Sequence, residues 1–599
     1  MTQQLAEPPL WESPQWQEAV SQNPGLSHFF DNLESFVELP QGVERLRLLV
    51  LDLAVRGKVV DQLEADDCVA NAIDQIAELK ANLLEKKAIQ KDKKYASTIK
   101  EKPPWPVPES WSWIRLQDAF EVVRGGSPRP AGDPRFFGGD IPWITVREIT
   151  KDRSLFLTET RDTITELGSE KSRFVRLDDL LLTNSGATLG VPKINKITGC
   201  INDGVAFLNA FHEFIDKPFA YYFLTQQTRA FRAVNQGMGQ PNLNTPILAG
   251  WWFPLPPLAE QRRIVSKVEG LMSLCDTLES QRRARMSVRE RASRSVLSRL
   301  TSSPASALSN TVSKETLNSS WQRLSDHFEV LLDQPETLAH LRQSILQLAV
   351  QGKLVPQDPN DECVDNAICS ARKIAGMPQC ELGNHEGDFS IPEKWRWVTV
   401  HDVANHRLGK MLDKAKNTGN PQPYLRNTNV HWFRFELDSI KEMLFEDDDV
   451  EEFTVRRGDL MICEGGHGIA RTAVWECELE RIMFQKALHR VRPFHCLNSY
   501  FLAFCFRVYE ATGILQRYYT GAGIPHFTGR SLAKVVFPLP PLAEQKRIVS
   551  KVSSLLSQVD EASQQLLSRQ TTTDAILTAL IHQLMTNSSN SRNRYLTRK

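Results

Sequence analysis

A sixteen-residue phrase occurs twice in this chain: Phe253 to Val268 reads FPLPPLAEQRRIVSKV and Phe537 to Val552 reads FPLPPLAEQKRIVSKV. Fifteen of the sixteen positions are identical across a separation of 284 residues. Solenoid periods of about 20 to 50 residues do not apply at that distance, so the repeat is a duplicated domain. Any fold for this chain must therefore be built twice.

The copied material extends beyond that phrase. Leu46 to Gln62 (LRLLVLDLAVRGKVVDQ) matches Leu341 to Gln357 (LRQSILQLAVQGKLVPQ) at ten of seventeen positions, and Asp66 to Ile73 (DDCVANAI) matches Asp361 to Ile368 (DECVDNAI) in the same register. PESWSW at Pro108 to Trp113 returns as PEKWRW at Pro392 to Trp397. Each unit thus runs from a helical segment through a Pro-Glu-x-Trp-x-Trp opening and a long region to the FPLPP closing and a second helical segment. The long regions, 108–253 and 392–537, have equal length and share little sequence. A copied frame holds different contents.

At 599 residues, the chain suits two globular units with helical connectors, since a length prior of about 150 residues per domain gives about four domains. Basic and acidic residues number 72 each, which excludes a polycationic coat for nucleic acid and confines any such binding to local patches or a partner. The ten cysteines form no CxxC pair and read as reduced thiols of a cytosolic protein. The first residues, MTQQLAEPPLWESPQW, lack a basic and apolar leader, and no run of 18 apolar residues exists, so the expectation is neither export nor membrane insertion.

Leu46, Leu49, Val50, Leu53 and Ala54 keep helical spacing, with Gly57-Lys58 as a stop that returns as Gly352-Lys353. A second helix is expected over about Cys68 to Ile89, running into Lys86, Lys87, Lys91, Lys93 and Lys94, a solvated helix end more than a DNA contact. After each FPLPP, apolar residues repeat as a heptad seam: Ile264, Val268, Leu271, Cys275 and Leu278, then Ile548, Val552, Leu555, Val559, Ala562 and Leu566. Prolines precede each helix and Glu260 or Glu544 lies in its first turn, where the dipole favours it. The seam needs a partner, and the expected one is the other copy, the two helices running antiparallel. A helix over 258–300 would be roughly 60 Å long, longer than one turn of B-DNA at about 34 Å, and could space two DNA half-sites. An ordinary helical hairpin between domains is the plainer alternative. Two-fold symmetry in one chain also points to duplex DNA as the object read.

Arg282, Arg283, Arg285, Arg289, Arg291, Arg294 and Arg299 crowd the end of the first helix, where the second copy is nearly neutral; phosphate contact and a solvated face are both open. In the long regions, apolar runs alternate with Gly, Pro and Asn, as in LDDLLLTNSGATLGV (177–191) and GDLMICEGGHGIA (458–470), which align through Asp179-Leu180 and Asp459-Leu460. Both regions carry a GxGxP loop, GMGQP at Gly237 to Pro241 and GAGIP at Gly521 to Pro525. Such loops suit base-edge reading, and they also suit any surface turn.

Catalytic constellations are missing from the sequence. Glu464 to Gly468 reads as a structural turn, with no Asn-Pro-Pro-Tyr motif to make it a cofactor loop, and no GxxxxGK[ST] phosphate loop occurs. His212-Glu213 lacks the second histidine of a zinc protease helix, and the acidic run Glu446 to Glu452 reads as a solvated loop. The chain reads as one that binds and positions.

The tandem plan, the PE-x-W openings, the PLPPLAEQ+RIV+KV closings and the LRQSILQLAVQGKL helix together resemble the DNA-specificity subunit of type I restriction-modification systems, over about Leu46 to Gln583. The resemblance implies an α+β fold with two mixed α/β target recognition domains in pseudo-two-fold arrangement, separated by long antiparallel coiled-coil spacer helices. The boundaries are a loose segment 1–27, an N-terminal helical region 28–107, recognition domain 1 at 108–253, a central spacer helix 254–300, a linker 301–320, a second helical region 321–391, recognition domain 2 at 392–537, a C-terminal spacer helix 538–585 and a tail 586–599. One departure is the N-terminal helical region, since some members begin directly at PE-x-W; it could complete the repeat by packing with the C-terminal helix.

The resemblance further implies a chain without catalysis of its own, located in a prokaryotic cytoplasm on DNA. It implies assembly with two methyltransferase subunits and, optionally, two restriction and translocase subunits. No cofactor is expected on this chain; S-adenosylmethionine, ATP and Mg would belong to those partners. The candidate DNA contacts are Arg124, Arg129, Arg147, Asn184, Ser185, Thr188, Gln240 and Asn242 in the first domain, and Lys410, Arg426, Asn427, Asn429, His467, Arg471, His526 and Arg530 in the second, all polar groups on Gly- or Pro-flanked turns. The alternatives are a solitary DNA methyltransferase or nuclease, and a coiled-coil scaffold that binds no DNA.

Overall fold

The computed structural model describes residues 32–586 except 65, 67–68, 90, 92–93, 97–100, 235–241, 302–334, 379–381, 412, 414–416, 467, 478–480 and 522–524, and without the side chains of 299–301 and 584–586. The loose segment 1–27, the linker 301–320 apart from Thr301, most of both GxGxP loops, Gln240 and His467 thus lie outside the described residues. The chain divides into two compact units, residues 1–284 with 570–599, and residues 285–569.

The first unit begins with α1 (Leu33–Glu38), α2 (Gly42–Ala54) and α3 (Val69–Glu85). α2 stops where the sequence indicates: Gly57 takes φ +68° and the Lys58 N–H donates to Leu53 O at 3.0 Å, closing the last turn. α3 ends short of Ile89, because the lysine-rich stretch continues in turns with Lys87 at φ 55°. Strands follow as β1 (Ser112–Arg115), β2 (Phe120–Arg124), β3 (Phe137–Ile144), β4 (Phe156–Leu157), β5 (Asp162–Ile164), β6 (Arg173–Val175), β7 (Leu180–Thr183), β8 (Pro192–Asn195), β9 (Gly199–Ile201), β10 (Val205–Ala210) and β11 (Trp252–Leu255). A short helix α4 (Val146–Thr150) follows β3, α5 (Lys217–Ala233) follows β10, and α6 runs 44 residues from Leu258 to Thr301.

β1 pairs antiparallel with β11, Trp113 opposite Pro254 and Ile114 opposite Phe253, so the opening and closing phrases of the recognition domain are two strands of one ribbon. Between them lie a five-stranded sheet ordered β2-β10-β7-β8-β4 and a four-stranded sheet ordered β5-β3-β9-β6. Leu180 and Leu182 bury into a core with Phe219, Phe223 and Phe253, while Leu181 faces Ile144, Ile149 and Ile201 on the opposite side. Alternate residues of a strand point to opposite faces, so a sheet covered on both sides reads as a continuous apolar run. That is why LLL, with no alternation, is a strand.

The second unit repeats the plan with α7 (Pro335–Val350), α8 (Val364–Ile374), β12 (Arg396–Thr399), β13 (Ala404–Leu408), β14 (Asn420–Leu425), β15 (Val430–His431), β16 (Arg434–Phe435), β17 (Lys441–Phe445), α9 (Asp447–Phe453), β18 (Leu460–Cys463), β19 (Thr472–Val474), β20 (Met483–Phe484), β21 (Leu488–Pro493), α10 (Ser499–Ala511), β22 (Val536–Leu539) and α11 (Leu542–Thr586). β12 pairs with β22, Trp397 opposite Pro538, in the register of the first unit. The sheets are ordered β13-β21-β18-β19 and β17-β14-β20. The acidic run 446–452, expected as a solvated loop, instead builds α9: Glu452 pairs with Arg407 and Glu451 lies 3.7 Å from Arg456.

The heptad seam is buried, and the other long helix supplies part of its cover: Leu297 of α6 shares a core with Ile548, Val552 and Val559 of α11. Ile264 and Val268 share a core with Leu51, Ala54 and Val55 of α2 and its cap, and Cys275 and Leu278 share one with α1, α2 and Leu577. Ile548, Val552, Leu555 and Val559 join α7 residues Leu341, Ile345 and Leu348. The copied helix ahead of each recognition domain and the opposite long helix therefore share the seam. α11 also reaches the N-terminal helical region, where Arg45 meets Asp574 at 2.7 Å.

The polar letters of LAEQ+R each hold one piece of the frame. Glu260 Oε1 accepts from Gln62 Nε2 at 2.5 Å, and Glu544 accepts from Gln357 Nε2 at 2.6 Å and Trp395 Nε1 at 3.0 Å. Both carboxyls are buried, which pushes their pKa values up while these donors oppose the rise. Gln261 donates to Phe214 O and Pro256 O and accepts from Asp216 N; Gln545 does the same with Cys496 O, Pro540 O and Asn498 N. Arg263 and Arg547 grip Asp66 and Asp361 with two nitrogens each and hold those carboxyls below the usual range.

Candidate nucleic-acid interface

In the first unit, four stretches of backbone meet at one end of the five-stranded sheet. The tip of the β7–β8 hairpin, Asn184 to Gly190, is closed by Gly190 N–H to Thr183 O at 2.8 Å. Asn184 N donates to Gly204 O at 2.9 Å, Leu243 N donates to Asn184 O at 2.8 Å, and Ser185 bridges Asn242. Gly125 N donates to Val205 O at 2.9 Å and Gly126 N to Ile201 O at 3.2 Å, which brings the end of β2 to the same rim. Gly204 sits so close to α4 that a Cβ would lie 2.8 Å from the Val146 side chain.

The second unit repeats these bonds with other residues. Glu464 N donates to Ala487 O, Phe527 N to Glu464 O, Ala470 N to Cys463 O, Gly409 N to Leu488 O and Lys410 N to Phe484 O, and Gly465 bridges His526. The Glu464–Ala470 stretch is thus a hairpin turn, with Ala470 at φ 61° where the first copy has Gly190 at φ 85°.

Of the candidates in the first unit, Arg124, Arg129, Arg147 and Thr188 are exposed, and Ser185 and Asn242 are half-buried at the junction. Asn184 is a correction: it is fully buried beneath the hairpin, so its amide cannot reach a base edge, and its contribution is the backbone pair just described. In the second unit, Asn427, Arg471, His526 and Arg530 keep exposed surface, and Arg471 lies over Gly468 at 2.6 Å from where a Cβ would stand. Arg426 donates to Ser439 O at 2.7 Å and is partly committed to that loop.

Two further candidates are corrections. Asn429 is buried and turns its amide inward, accepting from Arg426 N at 2.9 Å and donating to Glu436 O at 2.8 Å. Lys410 has a side chain only 12% exposed, paired with Glu446 and with Asp449 at 2.5 Å, so its charge is already neutralised. Sequence alone could not separate these from surface residues, since polar side chains in turns serve as caps as readily as contacts. Asp203 and Lys486, absent from the sequence-derived set, occupy the turn before β10 and β21 at the same rim. The only signal for Asp203 was an Asn-Asp-Gly turn between two apolar runs.

Beneath the second rim, His489 is fully buried and its Nε2 bonds Phe527 O at 2.6 Å. Burial, and to a lesser degree His406, lowers its pKa to about 4 from 6.5. The unfolded chain then binds more protons between those values, so stability is intact above pH 6.5 and lost as pH falls toward 4. At 1.36 kcal/mol per unit, the loss at pH 5 is about 2 kcal/mol. Denaturant unfolding at pH 7.5 and pH 5 is expected to show that loss, and His489→Gln to remove most of it; equal slopes would refute the assignment.

Comparison with known proteins bears on this geometry. The model of the type I restriction modification DNA specificity domain matches residues 108–286 and 392–569, starting at the proline of each PE-x-W phrase. The type I restriction enzyme EcoAI specificity subunit of Escherichia coli is 26% identical over 552 residues, covering 86% of this chain and 89% of that protein. The EcoEI specificity subunit of Escherichia coli is 23% identical over 575 residues, covering 89% and 92%. Among solved structures, the HsdS subunit from Thermoanaerobacter tengcongensis is 17% identical with a TM-score of 0.40, covering 82% of this chain and 100% of that one. Because the family match spans more than half of the sequence and falls once in each copied unit, the chain belongs to the type I restriction-modification DNA specificity family and is a specificity subunit, a component without catalysis of its own.

Proposed function

We propose that each recognition domain reads one half of a bipartite duplex DNA target, and that the frame around it positions two methyltransferase subunits and, in the restricting complex, two restriction and translocase subunits. The observation that supports this reading is the rim itself. The backbone bonds that gather the hairpin tip, the turn before β10 or β21 and the stretch at Asn242 or His526 occur in both units, while the side chains they present differ: Ser185, Asn242 and Arg124 stand in one, and Gly465, His526 and Leu408 in the other. A shared scaffold with unlike polar tips gives two unlike half-sites. S-adenosylmethionine, ATP and Mg belong, on this reading, to the partners, and the complex works in the cytoplasm on DNA. Among the described residues no helix is long and apolar enough to cross a membrane.

The test is to produce the chain with its methyltransferase subunit and map methylated adenines across a genome. A bipartite motif is expected, and replacing residues 108–253 by the corresponding stretch of another specificity subunit should change one half and leave the other. A continuous motif, or a change in both halves, would sink the reading.

A further inference from the structure

The turn before β10 holds more of the first rim together than any other residue there. Asp203 Oδ1 accepts from Ser127 Oγ at 2.6 Å, and its own N–H returns a bond to Ser127 Oγ at 3.1 Å. Its Oδ2 lies 3.3 Å from Arg129 Nη2, and its carbonyl accepts from Arg124 Nε at 2.9 Å. One aspartate thus holds two arginines by one nitrogen each. The terminal nitrogens of Arg124 make no hydrogen bond among the described residues, and Arg129 is 72% exposed. A guanidinium fixed through Nε with its fork open has the geometry for the O6 and N7 acceptors of guanine, and fixing it beforehand saves the entropy of ordering a long side chain at binding.

The corresponding residue in the second unit follows from the backbone. Asn202 N donates to Ile144 O and Val205 N to Asn202 O; Gln485 N donates to Leu425 O and Leu488 N to Gln485 O. β9 lies parallel to β3 with Ile201 opposite Ile144, and β20 lies parallel to β14 with Phe484 opposite Leu425. Asp203 therefore corresponds to Lys486. The arginine it would hold is gone as well: Arg124 pairs with Ala206 across the sheet, and Leu408 pairs with His489 in the matching place. Lys486 is exposed, its backbone N–H fixed to Lys410 O at 2.8 Å. The nearby Lys410 is already held by Glu446 and Asp449, which leaves Lys486 as the cation this turn presents.

We propose that this turn is a specificity-determining position in each half: Asp203 is a positioning residue that aims Arg124 and Arg129 at base edges, and Lys486 presents a contact of its own at the same place in the other half. The proposal rests on the half-site reading above and adds to it which residues set the bases. A turn residue with no more than a fold role would affect both halves together through stability, or neither.

The experiment uses the full chain with its methyltransferase subunit and the genome-wide methylation map. Asp203→Asn removes the charge that holds Arg129, and Asp203→Glu keeps it. Asp203→Asn is expected to lower the preference for the favoured base by about tenfold at the one position that Arg129 faces, while the position facing Arg124, which the main-chain carbonyl of residue 203 still holds, and the whole of the other half are unchanged. Asp203→Glu should retain most of the preference. Lys486→Gln should shift only the opposite half. Unchanged preference in both variants, or a uniform fall in methylation on all sites, overturns the proposal. A wild-type motif that is not bipartite would instead overturn the half-site reading, so the two failures are distinct.

Discussion

Gln545→Ala is expected to cost the second unit about 4 kcal/mol, although it removes no apolar packing. Gln545 is fully buried and satisfies three main-chain groups: the carbonyls of Cys496 and Pro540 at 2.9 and 2.8 Å, and the Asn498 N–H at 2.7 Å. Alanine leaves all three without a partner, the two carbonyl bonds fully buried and the Asn498 bond half-buried, and each buried orphan costs about 1–3 kcal/mol. The Asn498 bond also fixes the cap of α10, whose Asn498 Oδ1 accepts from Tyr500 N at 2.9 Å, so the recognition domain loses its tie to the spacer helix along with the bonds. Gln261→Ala should act alike in the first unit. Denaturant unfolding of each variant measures the loss, and a value below about 1 kcal/mol would show that the amide is dispensable. Arg262 and Lys546, by contrast, form the one unmatched pair in the sixteen and are both exposed, so exchanging them should change nothing measurable.

This division of labour explains how much of the frame could be read in the sequence. LAV-x-GK, PE-x-W and LAEQ+R recur together because they touch: Gly352 lies on Pro392 and Trp395, Trp395 bonds Glu544, and Gln357 bonds Glu544 from the other side. Residues bound to one another are copied as a set, and a set is visible even when its elements lie as far apart in the chain as the 187 residues between Gln357 and Glu544. The partner of the heptad seam was less legible. Periodicity states that a face is buried without naming everything that covers it, so the spacing of Ile548 and Val552 points to a paired coil without announcing α7, which shares their core with Leu297 of α6.

The rim was legible only in part, for a different reason. Asn184, Asn429 and Lys410 have the composition of contacts and the geometry of fasteners. An amide in a turn satisfies a buried backbone group or a base edge with the same atoms, and only burial separates the two uses. Asp203 was missed from the opposite side: an acidic residue alone is ill suited to a polyanion, and only the two arginines it holds make it fit. The charge that matters at such a rim is the sum over the cluster, which depends on neighbours distant in sequence.

Gly352→Ala and Gly376→Ala form the second test, because the two glycines share a backbone and differ in what surrounds them. Both close a helix in the left-handed region, at φ +69° and +67°, each followed by an N–H that returns to the last turn, Lys353 to Leu348 O and Met377 to Arg372 O. An alanine in that conformation costs about 1–2 kcal/mol wherever it stands. At Gly376 nothing lies within 4 Å of the new Cβ, so the cost should end there. At Gly352 the Cβ would sit 2.5 Å from Pro392 Cγ and 3.0 Å from Trp395 Cζ2, two rigid rings, and Trp395 cannot yield without stretching its bond to Glu544. Overpacking of that kind adds about 1–3 kcal/mol. Gly352→Ala is therefore expected to lose about 2 kcal/mol more than Gly376→Ala in denaturant unfolding, and Trp395→Leu should recover part of the difference by removing one of the rings. Equal losses for the two glycines would mean that the copied Gly-Lys stop is a helix cap and nothing more, and that the opening of the recognition domain is not seated on it.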